Sequence, residues 1–373
     1  MKVLHIITGL GMGGAEMMLS KLIMATQTDL EHVVISLTNS GMIGEQIKNA
    51  GIPVISLDMS SLVSGLKGTT KLASEIRKAQ PDVIQTWMYH ADLIGGIVAR
   101  MIGFKNIIWN IRNSDLDPNK TKYHTRLTVN VCGVISRFIP KKIISNSTRS
   151  AELHQQKGYK KEKFIIIPNG FDLNKFKIAE NRDVRRSLGV NKESFLIGFI
   201  ARFDPQKDHK GFVAAAKLLA EKYKNVCFAL CGAQMDEKNK TLNQWIDAAG
   251  LTNSFELLGL RTDVDQITSE LDLATMSSAY GEAFPNVIGE AMACGVPCVV
   301  TDVGDSAWIV GETGLVVLPN DPQALADAWE SILLMDPQQR LKLGLQARKR
   351  IEENFSIENI AKQYTNLYQE VMT

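Results

Sequence analysis

Short apolar runs alternate with longer amphipathic or polar segments along almost all of the 373-residue chain, and nothing else in it restricts the fold as strongly. The first runs lie at 3–7, 33–37, 53–57, 83–86, 106–110, 143–146 and 164–167. A run such as Val33-Val34-Ile35-Ser36-Leu37 is apolar at successive positions, which suits a parallel strand covered by helices on both faces. Between 168 and 190 the alternation lapses into PNGFDLNKFKIAENRDVRRSLGV, which reads as a linker with one short helix. A second series then places strands at 195–200, 226–231, 255–258, 272–276 and 297–301. The expectation is an α/β chain of two Rossmann-like, doubly wound domains, 1–172 and 190–355, facing a cleft. Ligands bind such sheets outside the carboxyl ends of the strands. Residues 356–373 read as a terminal helix capped by Ser356, with Ile357, Ile360, Tyr364, Leu367, Tyr368 and Val371 along one stripe.

Composition removes several classes. At 45% hydrophobic and 22% charged residues, the chain falls outside the disordered and fibrous classes. No run of 18 apolar residues occurs, so no membrane-spanning helix is expected. The first residues enter a strand at once, without the features of a secretory signal. The five cysteines, Cys132, Cys227, Cys231, Cys294 and Cys298, are an odd set in apolar segments with no histidine nearby. They point to buried, reduced thiols in the cytoplasm and away from zinc or any other bound metal.

Net charge is +2, but it is unevenly divided. Residues 1–172 hold 21 Lys and Arg against 13 Asp and Glu, and the remainder holds 21 against 27. Residues 101–165 alone hold 13 against 4, in stretches such as NKTKYHTR, RFIPKK and KGYKKEK. Taken singly these are solvated lysines. Together they describe a basic face that fits anionic lipid headgroups at the inner surface of the cytoplasmic membrane. Nucleic acid is the weaker reading of the same charges.

The segment TGLGMGGAE, residues 8–16, joins the first strand to the first helix. Gly9, Gly11 and Gly14 match the dinucleotide spacing, and a Gly-rich turn before a helix serves any phosphate. An NAD site also needs an acidic residue ending the second strand. That strand ends in ISLTNSG, with Glu31 before it rather than after, so an NAD-dependent oxidoreductase is disfavoured.

The stronger signal is GEAFPNVIGEAMACGVP, residues 281–297. Pro285 suits the first turn of a helix that stops at Gly295. Glu282 precedes that helix and Glu290 lies within it, while the N–H groups of Phe284, Asn286 and Val287 are free at its start. Donors for an anion and carboxylates for hydroxyls therefore meet at one helix end, as a phosphate-linked sugar requires. ARFDPQKDHKG, residues 201–211, adds Arg202 and Lys207 in a loop at a strand's carboxyl end, two cations suited to a diphosphate.

With TWMYHADL at 86–93, IIPNGFD at 166–172, LLGLRTDV at 257–264 and EAFPNVIGEAMACGVPCVVTDVG at 282–304, the chain resembles the retaining glycosyltransferases of family 4, also called group 1. The resemblance covers nearly the whole chain and implies the two-domain GT-B fold. Its first domain would bind the acceptor, its second the nucleotide sugar, and its last helix would cross back onto the first. It implies that Arg202 and Lys207 bind the donor diphosphate and that Glu290 holds the ribose. Glu282 would contact the donor sugar, supported by the backbone from Ala283 through Phe284 and Pro285 to Asn286 and Val287. Gly13 and Gly14 would approach the diphosphate, and His90 would lie beside the sugar. Asn169 would lie near the cleft, and the segment around Leu260 and Arg261 would meet the base, largely through backbone.

Two stretches depart from the family pattern. Asp305-Ser306-Ala307-Trp308 replaces a second Gly and an acidic residue, and Gly281-Glu282-Ala283 stands where Glu-Gly is common. The implied activity is retaining, metal-independent transfer from a nucleoside-diphosphate sugar, with UDP favoured, to a lipid-linked or saccharide acceptor in bacterial surface polysaccharide or O-antigen synthesis. A phosphorylase or sugar-nucleotide epimerase of the same fold is the alternative.

Overall fold

The computed structural model describes residues 1–59, 62–113, 116, 121–179, 184–191 and 193–373. Asn119 and Lys120 of the basic segment, and Glu180 to Asp183 of the expected linker, lie outside the described residues. The chain divides into two compact units, Met1–Gly170 with Ile357–Thr373, and Phe171–Ser356.

In the first unit the apolar runs form β1 (Lys2–Ile7), β2 (Glu31–Ser36), β3 (Val54–Ser56), β4 (Val83–Trp87), β5 (Ile107–Ile111), β6 (Lys142–Ser145) and β7 (Phe164–Ile166). They pair in parallel in the order β3-β2-β1-β4-β5-β6-β7. The second unit holds β8 (Phe195–Ile200), β9 (Val226–Cys231), β10 (Phe255–Gly259), β11 (Leu273–Met276), β12 (Cys298–Thr301) and β13 (Gly314–Val317), ordered β10-β9-β8-β11-β12-β13. Each expected strand forms. β13 was not expected, because GLVV is short and begins with glycine; its only partner in the sheet order is β12. In each sheet the strand order reverses beside the first strand, between β1 and β4 and between β8 and β11.

The helices that carry the functional surfaces are α1 (Gly14–Thr26), α2 (Tyr89–Met101), α3 (Tyr123–Ile135), α4 (His209–Lys222), α5 (Asn286–Ala293) and α6 (Ile357–Met372). The terminal helix α6 belongs to the first unit. It buries Ile357, Ile360, Tyr364, Leu367, Tyr368 and Val371 in one cluster with Leu19, Ile23, Trp87 and Ile108. Its buried hydroxyls find partners: Asn110 Nδ2 donates to Tyr364 at 3.0 Å, and Tyr368 donates to Gln85 Oε1.

The segment read as a linker is part of the second unit. Phe171, Phe176, Leu188 and Val190 lie in that unit's core, and Arg185 is buried. Arg185 donates to the carbonyls of Glu270 and Ser194 and pairs with Asp272 at 2.7 Å. Removing one partner of such a buried pair costs about 3–5 kcal/mol, because the other charge stays behind.

The first unit's core also holds a directed chain of neutral polar groups. Trp87 Nε1 donates to His5 Nδ1 at 3.3 Å, which leaves His5 Nε2–H to donate to His32 Nδ1 at 3.1 Å. His32 Nε2–H then donates to Thr26 Oγ1 at 2.9 Å, and that hydroxyl donates to the Leu22 carbonyl at 2.7 Å. The chain closes only with both rings uncharged. Burial lowers His5 well below the usual histidine range, helped by His32, and burial lowers His32 to about 4.

Both rings are neutral in the folded chain and unfolded chain above the ordinary value of 6.5. Between there and about 4, the unfolded chain takes up protons that the folded chain refuses, so stability falls as pH falls. His32→Gln keeps an acceptor for His5 and a donor for Thr26 while removing one titrating group. We expect this variant to match the parent's denaturation midpoint at pH 7.5 and to lose roughly 1–2 kcal/mol less on going to pH 5. Asp92, which burial shifts in the opposite sense, is common to both proteins and cancels in the comparison.

Candidate functional site

The reversal of strand order leaves a crevice at the carboxyl end of each sheet, where the connections from two neighbouring strands diverge. Most of the candidate residues follow the strands at these two points; Asn169, Leu260 and Arg261 follow the edge strands β7 and β10.

In the second unit, the loop after β8 carries Arg202 to Lys207. Asp204 caps its short turn by accepting from Gln206 N at 2.9 Å, and also accepts from Arg202 Nε at 3.1 Å. Asp208, in the left-handed region at φ 49°, caps α4 by accepting from Gly211 N. The loop after β11 holds this turn in place: Ser277 Oγ donates to the Lys207 carbonyl at 2.9 Å, and Ala279 N donates to the Gln206 carbonyl at 2.8 Å. Lys207 is thereby directed onto Glu282, and Nζ donates to Oε1. Ser278 Oγ donates to the same oxygen at 2.7 Å. The pair is largely buried, with side chains 12% and 9% exposed, so each charge depends on the other.

Beyond Glu282 the backbone enters α5. Pro285 is the capping residue in extended conformation rather than the first helical residue, and the helix ends at Ala293 before Gly295 at φ 71°. Glu290 is half-buried on α5, and Ala283, Asn286 and Val287 are half-buried around its start. Phe284 is buried and anchors this stretch among Phe171, Trp308 and Phe355, with ring centroids 5.8–6.1 Å away. Trp308, at the departure from the family pattern, is therefore a packing partner of the loop. Gly304 is the close contact that shapes it: at φ 64°, an added Cβ would lie 2.3 Å from the Glu282 carbonyl oxygen. The next residue's amide, Asp305 N, donates to the Ala283 carbonyl at 2.9 Å.

Arg261 follows β10. It gives Nε and a terminal nitrogen to both oxygens of Asp263, at 2.8 and 2.7 Å, so its fork is already occupied. Leu260 beside it is exposed.

In the first unit the loop after β1 leads through Gly13, the extended capping residue, into α1 at Gly14. An added Cβ at Gly14 would meet nothing within 4 Å, whereas one at Gly13 would run into the Glu16 carboxylate. At the end of β2, where an NAD site places an acid, Thr38 instead donates to the Thr8 carbonyl at 2.9 Å. His90 lies in the first turn of α2, half-buried, its ring centroid 6.0 Å from that of His124. Burial lowers its pKa, and the neighbouring His124 lowers it further. Met88, two residues earlier, has φ 71° and ψ 157°. Such backbone costs of order 1–3 kcal/mol for a residue other than glycine and is found where function over-determines it. Its amide donates to Asn110 O, and its carbonyl accepts from Asp92 N.

Residue-level reading of the sequence passed over Arg112, Ser278 and Tyr364. Arg112, just past β5, donates to Asn169 Oδ1 and to Tyr364 at 3.5 Å, and lies over the Trp87 ring at 5.5 Å. Arg112 and Ser278 each stand one or two residues beyond a strand's carboxyl end, which was a usable signal. Tyr364 carried none, because it reads as one more member of an apolar stripe.

The family described as Glycosyl transferases group 1 matches residues 180–350, and the family described as Glycosyltransferase Family 4 matches residues 12–175. The chain belongs to the group 1 glycosyltransferases. A D-inositol 3-phosphate glycosyltransferase of Corynebacterium urealyticum is 30% identical over 62% of this chain and 57% of its own length. The match thus spans little more than half of that relative. A UDP-Gal:α-D-GlcNAc-diphosphoundecaprenol α-1,3-galactosyltransferase of Escherichia coli is 25% identical over 83% of this chain and 80% of its own length. Anabaena HepE, solved with UDP, is 24% identical with a TM-score of 0.87 over 99% of this chain and 100% of that one. This last likeness establishes the GT-B fold of the glycosyltransferase.

The Gly304 contact can be checked directly. Gly304→Ala should lower the glycosyltransferase's stability by about 2–3 kcal/mol in denaturant titration, since the methyl group meets rigid backbone in an unfavourable conformation.

Proposed function

We propose that this glycosyltransferase moves a sugar from a UDP-sugar to a hydroxyl of a lipid-linked or saccharide acceptor, with retention of anomeric configuration and without a metal ion. The observation that carries the reading is the Lys207–Glu282 pair at the second unit's strand-order reversal, immediately before the α5 N-terminus. Arg202 and Lys207 bind the diphosphate and stabilise the charge that grows on it as the bond to the sugar breaks. The amides around Ala283 to Val287 supply the remaining donors, and the turn at Gly13 and Gly14 approaches the diphosphate. Glu290 accepts from the ribose hydroxyls, and Glu282, held by Lys207 and Ser278, accepts from the sugar. His90 lies beside the sugar, and Arg261 and Leu260 lie near the base.

The bond from the anomeric carbon to the leaving diphosphate oxygen breaks as the acceptor oxygen bonds to the same face of that carbon. The acceptor's proton passes to the departing phosphate oxygen. Glu282 orients the donor and is not consumed. The UDP complex of HepE and the UDP-galactose named for the Escherichia coli relative support the uridine donor. That relative's diphosphoundecaprenol acceptor supports a lipid-linked acceptor, surface polysaccharide or O-antigen assembly, and work at the inner face of the cytoplasmic membrane. No helix among the described residues is long and apolar enough to cross a membrane.

Calorimetry should show UDP binding about tenfold or more tightly than GDP, ADP or NAD. Lys207→Ala and Glu290→Ala should each lower kcat/KM by about 100-fold or more with the circular dichroism spectrum unchanged. Near-parental turnover in either variant overturns the assignment.

A further inference from the structure

Helix α3 carries large apolar residues on its outer face as well as apolar residues on its inner one. Its inner face buries Thr128, Val129, Cys132 and Gly133. Its outer face, which water should claim, exposes Tyr123 (74%), Leu127 (52%), Val131 (37%) and Val134 (63%), and Phe138 (65%) continues the line just past the C-terminus. Spacings of four, four, three and four residues keep all five within one narrow stripe at 3.6 residues per turn. Scattered exposed apolar residues need no explanation, but a contiguous stripe of large ones marks a surface made to be covered.

The charges around this stripe decide what covers it. Lys122, Arg126 and Arg137 run along one edge, and two of these cations lie over the stripe's own aromatic rings. Arg126 is 5.9 Å from the Tyr123 centroid, and Arg137 is 6.0 Å from that of Phe138. A hollow of about 230 Å³ opens at the same edge, lined by Tyr123, Leu127, Arg126 and Lys157. Three other lysines of this basic region serve structure instead. Lys142 pairs with Glu370, Lys141 donates to the Val371 carbonyl, and Lys163 donates to the carbonyls of Ser136, Arg137 and Pro140 at the end of α3. An apolar stripe with aromatic ends and an arginine-rich margin matches a bilayer interface. There the stripe enters the acyl boundary, while the cations meet phosphate.

We propose that the outer face of α3 seats the first unit on an anionic lipid bilayer, with Leu127, Val131, Val134 and Phe138 in the interface and Arg126 and Lys157 on headgroup phosphate. This deepens, and rests on, the reading of a lipid-linked acceptor: docking through α3 holds the acceptor-binding unit against the leaflet that contains it.

The test is sedimentation with vesicles of phosphatidylcholine containing 30% phosphatidylglycerol. The parent protein should bind these and should bind pure phosphatidylcholine more weakly. Leu127→Ser/Val134→Ser/Phe138→Ser should lose about tenfold or more in partitioning. These side chains are exposed, so the triple variant should keep its circular dichroism spectrum and its affinity for UDP. A Val134→Cys variant carrying an environment-sensitive fluorophore, selective because the native cysteines are buried, should blue-shift when vesicles are added. Equal binding by parent and triple variant, a label that stays in water, or a parent that ignores anionic vesicles overturns the proposal. A parent dimer in light scattering that the triple variant abolishes also overturns it, in favour of a second copy on this face. Failure to bind UDP would instead strike the glycosyl-transfer reading and leave the vesicle result standing.

Discussion

Each sheet of this protein is built outward from its first strand in two directions, and the chemistry depends on that reversal. A connection leaving β8 turns to one side and a connection leaving β11 to the other, so no helix fills the space between them. The same holds for β1 and β4. Strand ends are rigid, because their backbones are held by neighbours on both sides. Loops that follow them can therefore hold polar groups at definite positions without burying unsatisfied backbone. Remove the reversal and Lys207 and Glu282, separated by 75 residues, have no reason to meet.

The two units solve the problem of a charged crevice differently. In the second, opposite charges are paired and a serine also donates to the carboxylate, so these groups hold one another in position. In the first, a half-buried cation rests on an aromatic ring among mostly neutral groups. Arg112 rests on the Trp87 ring and donates to Asn169 and Tyr364, which ties the end of β5 to the last residues before the chain leaves the unit and to the helix that returns to it. Burial lowers the Arg112 pKa, and Tyr364 and Glu16 offset part of that. The strained Met88 turn adds a further cost at the same end of the sheet. Such costs concentrate where position matters more than stability.

Much of the site was legible because the motifs are local. Glu282 and Glu290 are eight residues apart across a helix start, and Arg202 and Lys207 share one loop, so type and spacing alone suggest their chemistry. Arg261 shows the limit. In sequence it is a cation in a promising loop; in the fold its guanidinium is taken by Asp263 two residues on. The basic run at 101–165 shows the same limit at larger scale. Counting charge cannot separate Lys163, which closes carbonyls at a helix end, from Arg126, which borders an exposed apolar stripe.

The sequence by itself determined every strand but β13, the two-sheet α/β organisation and the terminal helix, since hydrophobic period and length are properties of consecutive residues. It also marked the glycine turn and the Glu-rich helix start, whose geometry is set within a few residues. Only the tertiary structure decided which charges pair, that His5 and His32 are two links of one neutral hydrogen-bonded chain, that the apparent linker belongs to the second unit's core, and that the apolar side of α3 faces outward. Each of these depends on which face an element turns toward partners tens to hundreds of residues away. No local pattern contains that choice; the packing of the whole chain makes it.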